Sequence, residues 1–173
     1  MVVALRRFEM NALSETLDAA RRERGLTWPQ LLGEINRAFE GTPSIPISVG
    51  TVMGMARKRS VTSAVVLQVL RWMGRTPESF LSGSIELDPE SRLPEPGPGH
   101  VLRFDTRALH AAMEEERRRR GLTWKQVAGE LPGFTDSMLR NLADGPLIGF
   151  PRVMLLTQWL RRPVASFVRI TSR

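Results

Sequence analysis

The 173-residue chain is 42% hydrophobic and 25% charged, proportions that exclude wholesale disorder and suit one medium domain or two small ones. It has no Cys and only two histidines, His100 and His110, which excludes disulfide scaffolds, thiolate nucleophiles and Cys-ligated zinc and leaves no His-based metal site. The 25 Lys and Arg against 18 acids give a net charge of +7, so nucleic acid leads an anionic membrane surface as the partner class.

All the basic residues except Lys58 and Lys125 are arginines. Arginine suits bidentate phosphate and guanine contacts, although a GC-rich genome produces the same bias. No apolar run approaches the roughly 20 residues of a membrane span, and the opening MVVALRRFEM has no secretory core, so a cytoplasmic protein is expected.

The chain repeats itself. Phe8 to Ile35 aligns without gaps on Phe104 to Leu131, an offset of 96, with 13 identities in 28 positions. Further on, Trp72 to Phe80 matches Trp159 to Phe167 at an offset of 87, so the first copy carries nine extra residues within Asn36 to Pro46. Three segments follow: residues 5–82, an acidic Pro-rich linker at 83–100, and residues 101–173. The linker holds four of the 12 prolines and a charge of −3, between copies of +4 and +6.

In the first copy, Thr27 and Gln30 form a capping box that starts a helix burying Trp28, Leu31, Leu32 and Ile35. The second copy shows the same plan more plainly. Asp105 or Thr106 caps a helix with Leu109, Ala112 and Met113 on one face, and Gly121 ends it. Thr123 and Gln126 then open a second helix, with Trp124, Val127, Ala128 and Leu131 inward. Thr135 caps a third helix holding Leu139 and Leu142, which Asp144-Gly145-Pro146 ends. A fourth helix runs from about Pro151 to Leu160, and Pro163 to Phe167 makes a short fifth. The fold class expected is all-α: two tandem five-helix domains joined by the Pro-rich linker. Ile85–Leu87, Val101–Phe104 and Val168–Ile170 alternate enough to be short strands. Docking of the copies would help two such small cores, and the sequence leaves it open.

Leu109-x3-Met113, then Arg120-Gly121-Leu122-Thr123-Trp124-x-Gln126-Val127-Ala128, then Gly133-Phe134-Thr135-x-Ser137-x-Leu139, then Gly145 and Gln158-Trp159-Leu160, resembles the lambda-repressor-like (Cro/repressor) helix-turn-helix family. The resemblance covers both copies. Pro132 adds a residue to the usual turn of the second copy, and the insertion of the first sits between the two helices of the motif. The resemblance implies that the second helix lies across the DNA backbone and the third enters the major groove.

On that basis the candidate contacts in the second copy are Lys125 and Gln126 at the start of its second helix, and Thr135, Asp136, Ser137, Arg140 and Asn141 on its third. Arg140 suits guanine and Asn141 adenine, while Asp136 favours the helix dipole. The alternative is an ordinary solvated face. The first copy offers Ser48 and Thr51 beside a bare surface of Val49, Gly50, Met53 and Gly54, then Arg57, Lys58 and Arg59 for phosphates. That copy either touches thymine methyls or has become a spacer or protein-binding module. Trp28 and Trp124 read as core and cap residues, and Arg117–Arg120 after Glu114–Glu116 as an ion-paired helix face.

The expected function is that of a sequence-specific regulator of transcription, a repressor on double-stranded DNA. It needs no cofactor or metal and has no catalytic constellation. An antitoxin-type autoregulator and a protein-interaction adaptor are the alternatives. An 18-residue linker spans about 55 Å as polyproline and about 23 Å as a coil. These limits bracket the ~34 Å between adjacent groove faces, so one chain can replace a dimer, and the expected protein is a monomer on an operator of two unlike half-sites.

Overall fold

Among the described residues, six of the eight α-helices begin where a hydroxyl or carboxylate takes up a free backbone N–H. In a computed structural model describing residues 4–58, 61–83, 88–145 and 147–171, the first copy forms α1 (Met10–Glu23), α2 (Trp28–Asn36), α3 (Val49–Met53) and α4 (Ser63–Met73). The second forms α5 (Thr106–Arg119), α6 (Trp124–Glu130), α7 (Asp136–Arg140) and α8 (Phe150–Leu160). Both capping boxes are complete: Thr27 and Thr123 accept from the backbone N–H of Gln30 and Gln126, whose side chains accept in return. Asp105 caps α5, and Ser48, Thr62 and Thr135 cap α3, α4 and α7.

The expected class needs correcting. Each copy has four α-helices and closes in a 3-10 turn, Pro77–Phe80 or Val164–Phe167, instead of a fifth helix. A proline opening each region and a run of only four residues leave no room for an i→i−4 ladder. The chain is not all-α either. Strand β1 (Val101–Phe104) pairs antiparallel with β2 (Val168–Thr171), Leu102 opposite Ile170 and Arg103 opposite Arg169. The first copy keeps a remnant of this pairing as one bridge, Phe8 with Leu81. Ile85–Leu87 lies outside the described residues.

The insertion closes on itself. Asn36 clamps the backbone of Ile47 through both amide atoms, each at 2.8 Å, and Phe39 is buried beneath the loop. Hence α3 begins at the position equivalent to α7, with Ser48 capping as Thr135 does and Val52 buried as Leu139 is.

The copies share a core. Val101, Leu102, Phe150, Met154 and Val164 of the second copy join the cluster built on Leu13, Leu31 and Leu67 of the first. The exchange is reciprocal. Gln158 of α8 bonds both the N–H and the C=O of Arg6, while Gln68 of α4 donates to Leu102 O, the equivalent of Arg6 O. Phe150 stacks on Phe8 at 5.1 Å with the rings 8° from parallel. Phe150 N donates to Val61 O at the start of α4, and Val164 N donates to the Glu78 carboxylate beyond its end. Thus α4 and α8 lie side by side pointing the same way, and an approximate two-fold axis runs between them. From the linker, Ser91 is buried and Leu93 packs on the first cluster.

A shared core should unfold as a unit. Replacing the fully buried Phe150 with Ala should lower the stability of the whole chain by about 3–5 kcal/mol. Calorimetry should show one transition moving to lower temperature; a second copy that melts alone while the first stays put would contradict the shared core.

Candidate nucleic-acid interface

A pair of short helices can present side chains outward only if something holds the second helix at a set angle. In the second copy that support comes from Leu139 and Leu142, both buried, and from a tight exit in which Gly145 N donates to Asn141 O at 2.6 Å. A Cβ on Gly145 would stand 2.7 Å from that carbonyl oxygen, so no larger residue fits the turn.

The outward face of α7 gathers most of the residues expected from the sequence. Thr135 is engaged as the N-cap, accepting from Met138 N at 3.2 Å. Asp136 and Arg140 form a one-turn ion pair at 3.4 Å, and Asn141 reaches Ser137 at 3.4 Å. Both contacts are long and both pairs are solvent-facing, so either can be exchanged for another partner at little cost. Lys125 is exposed near the start of α6 with no acidic partner among the described residues, whereas the Gln126 side-chain oxygen is already occupied by Thr123 N.

The first copy differs as its residues suggested. Ser48 and Thr51 bond each other at 2.8 Å in the first turn of α3, and the outward surface beyond them is Gly50 and a 54% exposed Met53. Arg57 closes the following 3-10 turn and Lys58 comes next, both exposed and without acidic partners among the described residues. Arg59 lies outside the described residues.

The segments that follow the two short helices meet. The chain passes from α3 to α4 and from α7 to α8 through short loops, and those loops meet where Phe150 N bonds Val61 O. With α4 and α8 parallel, α3 and α7 therefore flank the approximate two-fold axis at one end of the molecule. One further cation stands there that the sequence reading did not single out. Arg152, exposed in the first turn of α8, lines a groove of about 360 Å³ with Ser137, Asn141 and Leu147, its guanidinium 5.8 Å from the Phe134 ring centre. An outward Arg one turn into an otherwise apolar helix was the available signal.

The basic run is spent internally. Arg117 and Arg118 pair with Glu114 at 2.7 and 2.8 Å, Arg119 with Glu116, and Arg120 with Glu130 at 2.8 Å. Arg21 and Arg117 also cover Trp28 and Trp124, 4.7 and 5.1 Å from the ring centres, so both indoles serve as capping supports. A three-part clamp recurs in both copies: Arg24–Glu34–Trp72 and Arg120–Glu130–Trp159. The glutamate accepts from arginine and from the indole N–H, and the guanidinium lies 5.1 or 5.3 Å from the indole centre.

These bonds act on titration. The Trp72 N–H first, with Arg24, holds the Glu34 carboxyl below the usual range, and Arg120 first, with Trp159, does the same to Glu130. Among the described residues no cluster of His, Asp or Glu could hold a metal ion, and no helix is long and apolar enough to cross a membrane. Compared with known protein families, curated proteins and solved structures, the chain matches none.

Because both glutamates are depressed, the stability they add is present above the ordinary carboxylate pKa and is lost as pH falls through the lowered values. Glu130→Gln should therefore destabilise the protein at neutral pH and leave it close to the parent at strongly acid pH. A difference in melting temperature that stays constant with pH would contradict the clamp.

Proposed function

We propose that this chain is a sequence-specific DNA-binding regulator, a repressor that acts in the cytoplasm by occupying its operator, with no cofactor and no catalytic step. The observation that carries the reading is that α3 and α7, each capped by a hydroxyl side chain and preceded by a capped helix, lead into α4 and α8 through segments that meet at Phe150 N and Val61 O. The chain's charge of +7 favours a polyanion, and the exposed, weakly engaged Arg140 and Asn141 are the side chains that read guanine and adenine edges. The resemblance to lambda-repressor-like proteins at Gly121–Ala128 and Phe134–Leu139 supports the same conclusion.

On this reading the second copy reads bases, through Arg140 and Asn141, and Lys125 and Arg152 hold phosphates. Arg57 and Lys58 anchor the first copy to the backbone. A second reading applies to the first copy alone: the exposed Met53 beside Gly50 suits contact with another protein as well as with thymine methyls.

Selection from a random DNA library, followed by titration against salt, tests this. The log–log slope should be about −4, from the release of four or five counterions. Arg140→Ala should cost about 1–3 kcal/mol and relax one position of the selected motif. Lys58→Ala should weaken all sequences alike and flatten the slope by about one. A slope near zero, or a motif untouched by Arg140→Ala, would overturn the proposal.

A further inference from the structure

The approximate two-fold relation between the copies is broken where the fourth helices begin. On one side of the axis, Phe150 is fully buried and lies flat on Phe8. The repeat offsets make Phe104 the equivalent of Phe8 and Ser63 the equivalent of Phe150. On the other side, therefore, the equivalent position holds a serine, and Ser63 and Phe104 both line a cavity of about 460 Å³. That volume lies within the range of small-molecule sites. Its floor is apolar, formed by Leu109, Leu142, Ile148 and Val153.

The mouth of the cavity is basic. Arg103, Arg107 and Arg169 line it, where the first copy has Arg7, Asn11 and Ser82 at the equivalent positions. Arg103 and Arg169 stand directly opposite each other across the β1–β2 pair. Like charges so placed are unfavourable without an anion between them. Among the described residues neither has a carboxylate partner: Arg103 is half-buried, donates to Ser44 Oγ and Leu102 O and lies 5.8 Å from the Phe39 ring centre, and Arg169 is exposed. Burial and the neighbouring Arg169 push the Arg103 guanidinium below its ordinary pKa. Of the acids nearby, Asp105, which also lines the cavity, caps α5, and Asp144 pairs with Arg107 at the mouth.

We propose that this cavity binds a small aromatic carboxylate. The ring takes the place that Phe150 occupies on the other side, lying against Phe104, and the carboxylate accepts from Arg169 and Arg103. Stacking on phenylalanine selects a planar ring, and the paired guanidiniums select a carboxylate over a neutral group of the same shape. The inference stands apart from DNA binding, since it needs only the cavity, the ring and the arginines.

Titration calorimetry of the full chain with 2-naphthoate tests it, with 2-naphthylmethanol as the uncharged control. One molecule of 2-naphthoate should bind per chain with a Kd below about 1 mM. The alcohol should bind at least about tenfold more weakly, as should 2-naphthoate to Arg169→Ala. Ser63→Phe should abolish binding while holding or raising the melting temperature, because its ring fills the space as Phe150 does. If Ser63→Phe fails to fold, the exposed Arg169→Ala substitution carries the test. No saturable binding, binding unchanged in the folded Ser63→Phe protein or in Arg169→Ala, or an alcohol that binds as well as the acid would each overturn the proposal.

Discussion

Everything in this molecule depends on Phe150 lying on Phe8 inside a core that neither copy completes alone. A bundle of four short helices with about 70 residues buries little apolar surface for its size. Laying the opening segment of each copy on the fourth helix of the other adds Val101, Leu102, Phe150, Met154 and Val164 to the first cluster. The same exchange supplies donors to the carbonyls of Arg6 and Leu102. The helices α4 and α8 consequently run in parallel, and this direction, more than any individual contact, brings α3 and α7 to one end.

Within each copy the repeated residues rebuild the same local devices. The capping boxes, the Arg–Glu–Trp clamps and the arginine laid over Trp28 or Trp124 recur with the same partners and nearly the same distances. The copies diverge where residues face outward or across the axis. Met53 stands near the place Arg140 takes on the other helix, and Ser63 stands where Phe150 does. The scaffold is thus present twice, while what each half presents differs. That asymmetry is what sets apart a joined pair from a dimer of identical chains.

What the sequence made legible was local. Thr27 with Gln30, and Thr123 with Gln126, announce their helices because cap and partner are three residues apart, and the inward sets such as Leu139 with Leu142 follow from helical period. The closing segments read as helices because Val164, Phe167 and their counterparts are apolar at helical spacing, yet four residues after a proline settle as a 3-10 turn. The strand pair was visible only as alternation, since Val101 and Thr171 are 70 residues apart and pairing across that distance depends on the rest of the fold. The docking was illegible for a related reason: the prolines at 89, 94, 96 and 98 suggest a free tether, and nothing near them says that Ser91 and Leu93 pack down. Of the site, the α7 face was readable from outward positions. The engagement of Gln126 followed from its own capping box, whereas the approach of Arg152 required the tertiary arrangement.

The central claim is that one rigid chain holds two unlike reading faces at a set separation. The most direct test is footprinting and binding on a selected site whose two halves are moved apart by about 5 bp, half a helical turn. A rigid pair should bind the original site as a single chain, protect two unlike half-sites, and lose nearly all specific affinity when the halves are rotated to opposite sides of the duplex. Unchanged affinity for the spaced site, or two chains on a palindrome, would contradict the account.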